Sequence, residues 1–291
     1  MNRIVYLNGK YLPADEAKVS IFDRGYIFGD GVYEVIPVFE GAVVDKTYFL
    51  ERLDRSLSQI QLDWPCSQQA YLDVMSELVS RNNLREGVVY SQVTRGVAER
   101  DFPFPTNAAP GFMAFSSQMN LLNNPAATEG IKVATTPDLR WKRRDIKSIN
   151  LLGQCMAKQD AVRKGAKEGW MVEDGYVTEG VSSSAYVVIG DKIVTRPLSN
   201  SILPGIRRRT LLELAEQTGI EIEERLFTLE EALAADEAFI SSATTMALGV
   251  IEIDGVQIGN GTPGPITMKM RALYTERVLQ EARELNTQPS G

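Results

Sequence analysis

The chain has 291 residues, 44% of them hydrophobic and 24% charged, a composition ordinary for a soluble globular protein able to bury one large core or two medium ones. A formal net charge of −7 argues against broad attraction to nucleic acid or to anionic membrane. The chain contains no histidine, which excludes Ser-His-Asp and Cys-His catalysis, His-ligated metal and imidazole proton shuttling within it; acid–base work must fall to Lys, Tyr, Cys, Asp or Glu.

In chain order, residues 5–12 read as a hairpin around Asn8-Gly9, the strongest short turn signal, and residues 32–44 as a second pair of strands turning at Glu40-Gly41. Leu50, Leu53, Leu57 and Ile60 recur at helical spacing, and a second helix starting near Ser67 carries Leu72, Met75, Leu78 and Val79 inward. Residues 87–95 and 111–116 read as strands, so the first part is an α+β pattern rather than a strict βαβ repeat. The polar, Pro-punctuated stretch 120–125 is the candidate linker. Beyond it come a strand at 131–136, a helix at 151–164, hairpins at Asp174-Gly175, Gly190-Asp191 and Asp254-Gly255, and helices at 206–217 and 266–285. So many hairpins favour an antiparallel, barrel-like or mixed sheet over a doubly wound one.

Two cysteines, Cys66 and Cys155, make neither a metal cluster nor a disulfide framework. Cys155 lies in the apolar run 151–156 and is expected to be a buried, inert thiol. The start, Met1-Asn2-Arg3-Ile4, lacks the apolar core of a secretory leader, and no apolar run reaches the ~18 residues of a membrane span. A cytoplasmic location is the expectation.

Four segments place polar groups where fold-building alone has no use for them. In residues 143–150, basic side chains crowd Lys147; neighbouring cations disfavour an ammonium and free the amine as a nucleophile, although a solvated basic turn has the same composition. In residues 177–184, Glu179 can hold a cationic ring nitrogen and Ser182, Ser183 and Ser184 can serve an anion, or the segment is a polar loop. Leu203-Pro204-Gly205-Ile206-Arg207 opens a helix whose N-terminus suits phosphate or simply starts the helix. The hydroxyls of 241–245 end a strand and suit the same ligand. A nucleophilic amine, a carboxylate for a ring nitrogen and two phosphate cradles together match what pyridoxal phosphate needs.

The chain resembles the fold type IV pyridoxal-phosphate aminotransferases, and among them the bacterial D-amino acid transaminases. The motifs that carry the resemblance run in order through residues 23–35, Arg52-Leu53, residues 93–96, residues 145–152, Thr178-Glu179-Gly180 and Leu203-Pro204-Gly205-Ile206. The resemblance implies a two-domain α+β fold, with a smaller α/β domain over 1–120 and a larger, barrel-like mixed-sheet domain over 121–291 that binds the cofactor. It implies that Lys147 is the Schiff-base lysine and the proton carrier between Cα and C4′, that Glu179 partners the pyridine nitrogen and that Arg52 binds phosphate. Gly205, Ile206, Arg207, Ala243 and Thr244 fall on the family's other phosphate contacts, Ser182 and Ser183 on small residues near the cofactor, Leu203 behind the ring, and Tyr33 at the substrate pocket.

For the substrate carboxylate the family typically has an Arg-x-His pair after the Thr-Arg-Gly motif; here it is Arg100-Asp101-Phe102, so Arg100 keeps the clamp and Phe102 replaces the imidazole. Ser184 stands where Asn is usual, Arg207 where Thr is frequent, and Ala243 where a hydroxyl is common. The implied reaction is a ping-pong exchange between an amino donor such as D-alanine or D-glutamate and a keto acid acceptor, with no nucleic-acid or membrane partner and a homodimeric assembly. Within the fold, a branched-chain L-amino acid transaminase, an (R)-amine transaminase and an aminodeoxychorismate lyase are the alternatives.

Overall fold

The structure, a computed structural model, describes residues 3–287; Met1 and Asn2 of the N-terminal reading above lie outside the described residues, as do residues 288–291. The chain forms two compact units. One comprises the described residues up to Asn120, the pentapeptide Ile146–Asn150 and the described chain from Val278; the other comprises Leu121–Asp145 and Leu151–Arg277. Two segments that a single cut after residue 120 gives to the larger domain, 146–150 and the chain from Val278, thus group with the first unit.

The first unit opens with β1 (Ile4–Leu7) and β2 (Lys10–Pro13), joined by Asn8-Gly9 with φ of 46° and 88°, the left-handed pair a two-residue hairpin needs. Helix α1 (Arg24–Phe28), β3 (Gly31–Phe39) and β4 (Ala42–Val43) follow, then α2 (Lys46–Gln59), α3 (Gln68–Arg81), β5 (Gly87–Thr94) and β6 (Gly111–Gln118). The sheet order is β2-β1-β6-β5-β3-β4, with every pairing antiparallel. Of the stripes read from the sequence, Leu53 and Leu57 on α2 and Met75, Leu78 and Val79 on α3 are buried, whereas Leu50, Ile60 and Leu72 are half-buried and Phe49 and Tyr71 take the buried positions beside them. Tyr71 stacks on Phe112 of β6 at 4.3 Å between ring centroids.

The second unit contains α4 (Ala126–Glu129), β7 (Ile131–Pro137), α5 (Leu152–Arg163), β8 (Glu168–Glu173), β9 (Tyr176–Gly180), β10 (Ser184–Ile189) and β11 (Lys192–Thr195). Then come α6 (Ile206–Gln217), β12 (Glu221–Glu224), α7 (Leu229–Leu233), β13 (Glu237–Ser242), β14 (Met246–Ile253), β15 (Val256–Gln257) and α8 (Pro265–Thr287), whose turns from Val278 belong to the first unit. The sheet runs β12-β11-β10-β13-β14-β7-β8-β9, with β15 on β14. Among the described residues three of its pairings, β11 with β12, β14 with β7 and β7 with β8, are parallel and the others antiparallel; the barrel-like mixed sheet expected is thus a mixed half-barrel. Trp170, Val187, Phe227, Ile240 and Leu248 are in its core; burying each large apolar side chain is worth about 1.5–3 kcal/mol.

One expectation fails here. Cys155 is exposed rather than buried, and so are Leu152 and Met156 beside it on α5. The helix rests on β7 and β8 through the small residues Ala157 and Ala161, which permit close approach, and turns its larger apolar side chains outward. Spacing reveals that a helix has an apolar stripe, not which stripe the sheet covers. Among the described residues, no helix is long and apolar enough to cross a membrane.

Candidate active site

The candidate residues read from the sequence fall into two sets, one in each unit. In the first, the segment Ile146–Asn150 lies along the start of β3. Tyr33 donates its backbone N–H to the Lys147 carbonyl at 3.0 Å, Ile149 donates to the Gly31 carbonyl at 3.1 Å, and Val32 and Ser148 form a bridge. The Lys147 N–H points at the hydroxyl of buried Ser56 on α2, 3.4 Å away. The half-buried Lys147 side chain then sets its Nζ 4.2 Å from the centroid of the Tyr33 ring, and Tyr33 stacks on Tyr90 at 5.5 Å. Asn150 closes the segment by donating to the Gly29 carbonyl at 2.9 Å; Gly29 has φ 67° and no room for a Cβ, which would lie 2.3 Å from Asn150 Oδ1.

The motif around residues 23–35 has structural work to do. Asp23 caps α1 and accepts the Thr94 hydroxyl. Asp30 holds Arg24 and Arg95 on one carboxylate oxygen, each at 2.8 Å, and Arg95 also donates to the carbonyls of Ile60 and Gln61 beyond α2. Arg24 donates to the carbonyls of Asp101 and Phe102, tying down the loop that carries Arg100. Arg100 is exposed, its guanidinium 5.5 Å and 5.6 Å from the ring centroids of Phe28 and Phe102. Among the described residues, no hydrogen bond, ion pair or ring contact joins it to Lys147 or Tyr33. Arg52 forms a two-pronged pair with Glu34 of β3.

The two arginines that precede Lys147 in the sequence both have carboxylate partners. Arg143 pairs with Asp145 at 3.0 Å, and Arg144 forks onto Glu173 at 2.7 and 2.9 Å while touching Asp138 at 3.2 Å. The partner of Arg144 lies 29 residues away, where local spacing does not reveal it.

In the second unit Glu179, near the end of β9, is almost wholly buried. It accepts from Arg140 Nη1 at 2.5 Å and from the Leu203 N–H at 3.1 Å to Oε2 and 3.3 Å to Oε1. Burial pushes its carboxyl above the ordinary range, and Arg140 and the Leu203 amide pull it back only in part. Leu203 thus meets Glu179 through its backbone. Arg140 is the residue sequence reasoning missed: its partner is 39 residues away, and no local spacing announces it.

Gly205 caps α6, and no side chain caps that helix start. A Cβ on Gly205 would lie 2.8 Å from the buried Ser184 hydroxyl. Ser183 is buried and its Oγ has no hydrogen-bond partner, whereas exposed Ser182 gives its hydroxyl to Glu168 at 2.9 Å. Ala243 and Thr244 lie in the half-buried turn between β13 and β14, with Thr244 N–H donating to the Ser242 hydroxyl at 3.2 Å. Arg207, in the first turn of α6, is buried with its guanidinium 4.4 Å from the Tyr274 ring centroid. An uncapped helix start with a close-approach glycine beside it suits a phosphate, and a buried carboxylate suits a protonated ring nitrogen. Such residues fit a phosphorylated pyridine cofactor, which places the chain among enzymes of amino-group chemistry.

Comparison with known proteins agrees. The family model for amino-transferase class IV matches residues 31–253. The D-alanine aminotransferase of Staphylococcus haemolyticus is 41% identical over 275 residues, 94% of this chain and 97% of that protein. The D-alanine aminotransferase of Bacillus licheniformis is 39% identical over 277 residues, covering 95% and 98%. The branched-chain aminotransferase of the thermophilic archaeon Thermoproteus uzoniensis, solved with norvaline, shares the fold at a TM-score of 0.86 and 26% identity over 97% of this chain and 96% of that one. The chain belongs to the class IV aminotransferases and is a pyridoxal-phosphate-dependent transaminase.

Proposed function

We propose that the protein exchanges an amino group between a D-amino acid of the D-alanine or D-glutamate type and a 2-keto acid. The observation that carries this reading is the likeness, along nearly the whole chain, to two D-alanine aminotransferases.

We assign Lys147 to the covalent hold on the cofactor aldehyde and, once its amine is released, to proton transfer. When bound, pyridoxal phosphate supplies an electron-poor ring that accepts the electron pair left at the substrate Cα. Lys147 Nζ would take up the substrate Cα proton and give it back, serving as general base and then as general acid with one amine. Glu179 holds the ring nitrogen in its protonated form, with Leu203 fixing the carboxylate from behind through its amide. Arg52 and the start of α6 at Gly205, Ile206 and Arg207, with Ser183, Ala243 and Thr244, hold the phosphate. Ser182 lies near the cofactor as a neighbour of Ser183 rather than as a hydroxyl donor, since its hydroxyl is engaged by Glu168. Tyr33 packs against the lysine amine at the substrate pocket, and Arg100 takes the substrate carboxylate.

A homodimer is part of this reading. Ile21, Phe22, Tyr26, Val97 and Phe102 are large apolar side chains exposed on one unit, and the Asp23–Val97 bridge brings two of their segments side by side. Leu152 and Met156 are exposed on the other. Apolar patches of this kind mark association surfaces, and a second copy of the chain is the partner we infer. The two free thiols suit the reducing cytoplasm.

Phe102 favours one second reading, an (R)-amine transaminase, because a site without the family's imidazole asks less for a carboxylate. Incubating the holoenzyme with D-alanine and 2-oxoglutarate, beside L-leucine and (R)-1-phenylethylamine, separates the readings. D-Alanine is expected to be turned over best; strong turnover of the amine alone would overturn the assignment.

A further inference from the structure

Behind Glu179 stands a buried chain of alternating charges. Arg140 donates from Nη1 to Glu179 at 2.5 Å and from Nε and Nη2 to the two oxygens of Asp138 at 2.9 and 2.7 Å. Asp138 is fully buried, accepts the Thr178 hydroxyl at 2.7 Å and pairs with Arg144 at 3.2 Å. Arg144 in turn forks onto Glu173 at the rim. Arg196, after β11, adds a further positive charge within electrostatic reach, its Nη1 donating to the Val177 carbonyl at 3.4 Å.

Charges so poorly solvated are screened little by water, so each depends strongly on the next. A buried carboxylate without a cation takes up a proton, and a neutral carboxyl cannot hold a ring cation. A single arginine with no other partner would spend its whole charge on Glu179 and leave little for a cofactor. We propose that Arg140 is a positioning residue that keeps Glu179 ionised and oriented for the ring nitrogen, while Asp138, pinned by Thr178 and Arg144, takes up the rest of its charge. This rests on the assignment of Glu179 to the ring nitrogen.

The test is a double-mutant cycle read as cofactor retention. Holoenzyme carrying Arg140→Gln, Glu179→Gln or both is dialysed at about pH 8 and about pH 6, a range spanning the upper reach of a buried carboxylate. Bound pyridoxal phosphate is followed by absorbance, and melting is recorded with and without added cofactor. Arg140→Gln is expected to weaken retention about tenfold, the worth of a charge-assisted hydrogen bond, and to weaken it further at the lower pH. On a Glu179→Gln background it should cost little more and the pH dependence should vanish. Arg140→Lys, which keeps the cation, should restore the pH profile even if Arg140→Gln folds poorly. A full, pH-independent loss on top of Glu179→Gln would reduce Arg140 to a structural tie and overturn the proposal. Wild-type retention by Glu179→Gln would instead sink the ring-nitrogen assignment, and this inference with it; loss in Glu179→Gln but not in Arg140→Gln would sink the inference alone.

Discussion

Arg52 and Glu34 meet as a parallel fork, Nε to Oε1 and Nη2 to Oε2 at 2.7 Å each, with the Glu34 side chain fully buried. The strand therefore aims the arginine on α2, and the planarity of guanidinium and carboxylate sets the angle. Lysine keeps the charge but cannot make the fork. Arg52→Lys should fold and lose pyridoxal phosphate about tenfold more readily, the worth of one charge-assisted bond; retention equal to wild type, measured by equilibrium dialysis, would remove Arg52 from the phosphate site. Glu34→Gln should be destabilised by about 3–5 kcal/mol in urea unfolding because it leaves a buried cation short of its partner.

Lys147→Ala should abolish transamination while leaving the fold in place. The segment is held by its main chain, through Tyr33 N–H to the Lys147 carbonyl and Ile149 N–H to Gly31, and neither bond needs the amine. Circular dichroism should match wild type, and borohydride should fix no cofactor at position 147. Turnover near wild type would refute the role given to this lysine.

Arg100→Ala should damage carboxylate-bearing substrates far more than simple amines. The expected loss in kcat/KM on D-alanine is about 1.5–3 kcal/mol, roughly ten- to a hundredfold. Arg143 and Arg144 are poor substitutes because each is already bonded to a carboxylate. Equal losses on both substrate types would mean that the clamp lies elsewhere.

Acid should weaken the protein partly through Asp138. Burial raises its pKa, but the hydrogen bonds and charge of Arg140, with Thr178 and Arg144, more than offset this and hold it below the usual carboxylate range. A folded value below the unfolded one contributes stability that is present above about pH 4 and is lost as pH falls through the folded value. Asp138→Asn should therefore be less stable than wild type at neutral pH and lose less on acidification. Parallel stability–pH curves for the two proteins would contradict this.

How much of this was legible in the sequence depends on the range of the interaction. The turn at Asn8-Gly9 needs two left-handed residues and advertises them. The stripes on α2 and α3 repeat within one helix, and α6 starts where Gly205 and the residues after it indicate. Helix α7 carried a readable capping box, Thr228 with Glu231, but its five residues are too few to generate a period. What stayed hidden joins distant segments. Arg140 owes its importance to Glu179, Arg144 to Glu173, and the outward face of Cys155 to two alanines pressed on a sheet. For the candidate site, the motifs nominate residues, whereas the charge partners those residues have in the fold are not visible in the motifs.

The pentapeptide bearing Lys147 borrows its rigidity from the first residues of β3 rather than from its own sequence neighbours, which belong to the other unit. In the role proposed for Lys147 the amine is released and taken back in every cycle. Docked as a short extra rung on a sheet, its main chain is moored by backbone hydrogen bonds and the swing is left to the four methylenes of the side chain.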